Sequence, residues 1–128
     1  MNLVDVATIL VAMVFVIVVV FQVLLSLGFP LGEMAMGGYH KILPKGLRVV
    51  SAGNALILIL MTIIFLQHTF QVSTALAFLP TSVLVWIITV FLAINTLANF
   101  FSTSRKEKVF MTPLSGVAML LCLFISLS

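Results

Sequence analysis

Apolar and polar positions lie along this chain in blocks, not in alternation. Four long runs of valine, isoleucine, leucine and phenylalanine cover about residues 3–27, 44–67, 74–101 and 110–127. Each run is apolar around the whole helical circumference, which marks a helix meant for an apolar surround. Each also approaches or exceeds the roughly 20 residues that a hydrocarbon core demands. The pattern therefore predicts an all-α membrane protein. Four transmembrane helices form an up-down bundle with short loops, and residues 1–128 make a single transmembrane domain. Gly28-Phe29-Pro30 ends the first run, because proline removes a donor and disfavours helix in the residue before it. Pro44 stands where the second run starts, and His68–Ser73 is a short polar break after it. Pro80 falls in the first turn of the third run or kinks it, and Pro113 lies early in the fourth.

Composition sharpens this picture. Hydrophobic residues make up 63% of the chain and charged residues 7%, with a mean hydropathy of +1.39. Soluble domains are about half apolar and a quarter charged, so no water-facing surface can be assembled here. The first run has no Lys or Arg ahead of it and no small-residue cleavage site, so it is expected to remain in the mature protein.

Charge adds a direction. All six basic residues fall in two loops at one end of the predicted bundle: Lys41, Lys45 and Arg48 near 28–45, and Arg105, Lys106 and Lys108 near 102–110. The opposite end has none. Basic loops stay in the cytoplasm, so the expected orientation has both loops inside and both termini outside. Such a one-sided count also argues against insertion in two opposite orientations. The basic residues cluster at span ends, so the sequence pI near 9.5 reads as topology and not as nucleic-acid binding. The two halves resemble each other faintly, with Leu43-Pro44-Lys45-Gly46 and Thr112-Pro113-Leu114-Ser115-Gly116 as the best local match, but any pair of helical hairpins would do so.

Within the runs, polar side chains gather toward the basic end. Gln22 with Ser26, Ser51 with Asn54, Asn95 with Asn99 and Thr112 with Ser115 are three or four residues apart, so each pair shares a helix face. They would suit a small polar cavity open to the cytoplasm beneath the loop that carries Glu33 and His40. The commoner use of such residues is hydrogen bonding between helices. The candidate cluster comprises Glu33, His40, Arg48 and Asn54 of the first hairpin and Asn95, Asn99 and Arg105 of the second. These groups are expected to join the hairpins at the inner face, with Glu33 paired to Arg48 or Arg105.

A carboxylate at membrane depth is costly and by default functional; at water level Glu33 is an ordinary interfacial residue. His40 would titrate near neutrality, although lone loop histidines are usually just solvated, and His68 at the other end is the weaker candidate. Gly37-Gly38 beside Lys41, Lys45 and Arg48 would suit an anion nest for a phosphate or lipid head group; the simpler role is a turn flanked by anchoring cations. Asp5 sits at head-group level or on an outward path. Trp86, in mid-span, is expected to pack between helices, and Cys122 to be inert. Metal-ligand spacings, nucleotide-binding loops and catalytic triads are missing from the chain. The expectation is no enzyme, no cofactor and no metal.

The first loop, GFPLGEMAMGGYHKILP followed by LR, and the S-x-S-R-x-E of Ser102–Glu107 resemble a group of small bacterial four-span membrane proteins of uncharacterised role. The resemblance spans nearly the whole chain and implies a bacterial cytoplasmic membrane without implying an activity. It points to Pro30, Gly32, Glu33, Gly37, Gly38, His40, Pro44 and Arg48, and to Asn99, Ser104, Arg105 and Glu107. The chain is unlike the small multidrug exporters, whose first span carries a mid-depth glutamate, and lacks the Asn and Phe pattern of the small fluoride channels. Expected partners are the lipid bilayer, another membrane protein or further copies of the chain. The expected function is an accessory or scaffolding subunit that binds a membrane protein or lipid head groups through its basic loops. The alternative is an oligomeric small transporter or channel for a polar solute or ion.

Overall fold

The computed structural model describes all 128 residues. It contains four long helices: α1 (Leu3–Ser26), α2 (Lys45–Phe70), α3 (Thr81–Phe100) and α4 (Arg105–Leu127). All four are long and apolar enough to cross a membrane, and only 21 of 128 residues are buried inside the bundle. Most of the apolar side chains therefore turn outward, as a multi-pass membrane protein requires and a water-soluble bundle forbids. The chain is an all-α, four-helix membrane bundle.

Each helix boundary has a local cause. Asn2 and Asp5 cap α1 reciprocally: Asn2 Oδ1 accepts from the Asp5 amide at 2.9 Å, and Asp5 Oδ2 from the Asn2 amide at 3.3 Å. Asp5 thus serves as a helix cap. At the other end of α1, Gly28 takes φ +93 and turns the chain away. Gln71, with φ +51, ends α2 in the left-handed conformation and returns its amide to the Gln67 carbonyl.

Three boundaries differ from the sequence reading. The second helix continues to Phe70, three residues past Gln67. The third starts at Thr81 and not at 74: residues Thr74–Leu76 form a single 3₁₀ turn, and Pro80 is the residue before the helix. Proline at that place interrupts the donor ladder, so the helix nucleates after it. The fourth starts at Arg105, five residues before the apolar run, because the Ser104 hydroxyl accepts from the Glu107 amide at 3.3 Å and caps the charged segment as helix. Pro113 then lies inside α4.

Neighbours follow the order α1–α2–α3–α4 and back to α1, closest within the hairpins α1/α2 and α3/α4. The main core fills the half of the bundle away from the basic loops. It stacks Val11 and Phe15, Met61 and Phe65, Val85, Ile88 and Leu92, and Ala118, Cys122 and Ile125 at helical spacing. Phe15 and Phe65 meet edge to face with ring centres 6.2 Å apart. A second, small core of Leu25, Ala35 and Leu43 seats the long loop on α1. Trp86 corrects an expectation: at 40% exposure it stands toward the outer face of α3 and is not enclosed between helices.

Candidate functional site

The long loop between α1 and α2 is built from two 3₁₀ turns, Gly32–Met34 and Met36–Gly38, and closes on itself through the Gly32 amide and Lys41 carbonyl at 2.8 Å. Gly37 and Gly38 take φ +80 and +74, backbone that an L side chain resists. Gly38 also lies so close to the Ser104 side chain that a Cβ would not fit. Positive φ and tight approach together explain the adjacent glycines.

The same loop is strapped to the first turn of α4. Ser104 Oγ donates to the Glu33 carbonyl, the Gly37 amide donates to Glu107 Oε2 at 3.0 Å, and Lys106 Nζ lies 2.6 Å from Glu33 Oε2. The Lys106 ammonium, by hydrogen bond and by charge, holds the Glu33 carboxyl below its ordinary value. Glu107 is only 6% exposed, yet no cation lies within ion-pairing distance of it. Its side chain accepts from the Gly37 amide and stands in the first turn of α4. The two amides of the anion nest read at Gly37-Gly38 are both engaged within the chain, Gly37 with the Glu107 carboxylate and Gly38 with the Ala35 carbonyl at 2.9 Å.

Beneath this strap, between the two hairpins, is a cavity of about 550 Å³. All four helices contribute a polar group to it: Gln22, Asn54, Asn95 with Asn99, and Ser115, while Glu107 enters at the roof. In every helix the deeper lining is apolar: Val14 and Val18 below Gln22, Leu58 below Asn54, Leu92 below Asn95 and Ala118 below Ser115. Met34, Met36 and Tyr39 of the loop also line it. Two of the amides hold the bundle together. Gln22 Oε1 lies 2.6 Å from Ser51 Oγ, and Asn99 Nδ2 donates to Ser115 Oγ at 3.2 Å, which also meets Thr96 Oγ1 at 3.0 Å. The Asn54 and Asn95 amides have no such partner in the chain.

The seven candidate residues therefore part into groups. Asn54, Asn95 and Asn99 line one cavity. Glu33, His40, Arg48 and Arg105 lie outside it. Glu33 pairs with Lys106 and with neither arginine, because Lys106 occupies the turn of α4 that faces the loop. Arg48 donates from Nε to the Ser26 carbonyl at 3.0 Å, and its guanidinium packs on Gly28, so it caps the carbonyl end of α1. His40 and Arg105 are exposed to solvent. Ser104, Lys106 and Glu107 stand outside the candidate cluster, although the resemblance points to Ser104 and Glu107. The signal for Glu107 was the Ser104-x-x-Glu107 spacing of a helix cap; here only the serine half forms, and the glutamate reaches across to Gly37.

At the far end, polar residues join helices. Thr8 Oγ1 meets Thr69 Oγ1 at 2.6 Å, Thr89 Oγ1 meets Ser126 Oγ at 3.1 Å, and His68 Nδ1 meets Thr81 Oγ1 at 3.0 Å. No three His, Cys, Asp or Glu side chains converge anywhere as a metal-ligand set. Comparison of the chain with protein-family models, curated proteins and solved structures yields no match.

Proposed function

We propose that this protein is a non-catalytic accessory subunit of a bacterial cytoplasmic membrane, with both basic loops inside, both termini outside. In this reading its basic end holds anionic lipid head groups or the acidic face of another membrane protein. The observation that carries it is a set of exposed cations at one end without an ion pair: Lys41, Lys45, Arg105 and Lys108. Of these only Lys108 has another contact, over the Phe100 ring at 5.1 Å. A juxtamembrane cluster of this kind gains about 1 kcal/mol per cation from an anionic leaflet. The test is purification in mild detergent, with mass spectrometry of the lipids and proteins that stay bound. Anionic phospholipid or an acidic membrane protein should be retained, and the triple variant Lys41→Gln, Lys45→Gln, Lys108→Gln should lose it. Recovery without either, or equal retention by the variant, refutes the reading.

The transporter alternative draws on the cavity. Against it, the core around Phe15, Phe65, Ile88 and Cys122 fills the far half of the bundle, so one chain offers no continuous polar path. Transport would need several copies around a shared axis.

A further inference from the structure

We propose that the cavity between the hairpins is a binding site for a small organic cation, an apolar body carrying a protonated amine. This goes beyond the role of the exposed basic end and does not rest on it.

Size and shape come first. Small-molecule sites measure about 300–1,000 Å³ and are mostly apolar with a few placed polar groups. This cavity, at about 550 Å³, is of that kind, and its polarity is ordered by depth. The floor of Val14, Val18, Leu58 and Leu92 would take a hydrocarbon or aromatic body. The amides of Asn54 and Asn95 stand a turn or so nearer the basic end, and the carboxylate of Glu107 stands at the roof.

Charge decides the sign of the ligand. Six cations crowd this end of the molecule, yet none lines the cavity, and the single ionised group that does so is Glu107. It has one hydrogen bond from outside its own helix, to Oε2, and no counter-ion. Its other oxygen has no partner in the chain, and the residue lines the mostly apolar cavity, where a carboxylate gains from a counter-ion. An ammonium head placed below the roof would complete the pair. An anion would meet like charge instead.

The two free amides fit the same ligand. Gln22 and Asn99 are committed to Ser51 and Ser115, but Asn54 and Asn95 have oxygens and nitrogens to spare. Their oxygens can accept the remaining protons of an amine, which donates three. Met34 and Met36 in the covering loop are flexible side chains that adapt to apolar bodies of different shape.

The experiment is equilibrium dialysis of labelled phenethylammonium against the full chain in lipid nanodiscs, with empty nanodiscs subtracted. Phenethyl alcohol and phenylpropionate serve as neutral and anionic probes of similar size. The proposal expects saturable phenethylammonium binding, displaced by unlabelled amine and not by phenylpropionate. Glu107→Gln keeps an oxygen for the Gly37 amide but removes the charge. It should weaken amine binding about tenfold or more, the loss of one charge-assisted hydrogen bond, and change alcohol binding by less than about twofold. Asn95→Leu, at a side chain that bonds to nothing in the chain, should weaken amine binding without unfolding the bundle. Should Glu107→Gln fail to fold, Asn95→Leu decides alone. Absence of saturable binding (a cavity that holds water only), equal displacement by phenylpropionate, or variants that bind the amine normally would overturn the proposal.

Discussion

Glu107 and Gly38 set the geometry at which the two hairpins meet. Replacing Gly38 by alanine forces a side chain into a φ of +74 and against Ser104. Backbone strain of that kind costs about 1–3 kcal/mol. Gly53 is the contrast: nothing lies within 4 Å of the position its Cβ would take, and it sits inside α2. There alanine should be neutral or gain up to about 1 kcal/mol from helix propensity. Thermal unfolding of the two variants in one detergent checks the pair, with Gly38→Ala melting below the parent and Gly53→Ala at or above it.

Glu33 gives a pH dependence with a definite sign. Lys106 depresses its carboxyl from an ordinary value of 4.5, so the folded state favours the charged form. Its stabilising effect is therefore complete above 4.5 and fades as pH falls through the depressed folded value. Glu33→Gln should remove that portion of the acid sensitivity and leave the neutral-pH melting temperature little changed, since the pair is exposed. A double-mutant cycle separates the partners: Glu33→Gln and Lys106→Gln should couple, whereas Glu33→Gln and Arg48→Gln should add, because Arg48 serves the end of α1.

At the scale of elements, the start of α4 has two duties. Ser104 caps the helix and also donates to the Glu33 carbonyl, so a single hydroxyl ties helix to loop. Ser104→Ala should cost about 1 kcal/mol for the cap. It should also loosen the strap, read as faster hydrogen exchange at the Gly37 amide with exchange in the α1 and α2 interiors unchanged. Sequence signals for this element were mixed. The apolar run pointed to a start near 110, whereas the serine cap and the acidic third residue moved it to Arg105. A cap outweighs hydropathy here because the exposed side chains of Arg105, Lys106 and Lys108 can reach water from the first turn of the helix.

For the whole molecule, the expectation is an orientation with the basic end inside. Cysteine labelling in a Cys122→Ser background tests it at two exposed sites, Lys41→Cys and Thr74→Cys. Thr74→Cys should react with an impermeant thiol reagent from outside intact cells, and Lys41→Cys only after the membrane is opened. The reverse pattern would invert the assignment.

What the chain determined by itself is the part governed by one-dimensional rules. Hydrophobic runs marked four helices, Gly28-Phe29-Pro30 and Pro44 marked the end of α1 and the start of α2, and residues three or four apart placed Asn95 with Asn99 and Ser51 with Asn54 on common faces. Those are properties of a single helix in an apolar medium. Which side chain meets which across the bundle depends on loop conformation and on helix rotation, and neither is encoded in spacing. Only the folded chain set Lys106 rather than Arg48 against Glu33, turned Trp86 outward, and brought Glu107 to the Gly37 amide from 70 residues away. The physical reason is that the left-handed turn at Gly37 and Gly38 frees the Gly37 amide to face whatever packs beside it, and packing alone decides that it is the first turn of α4.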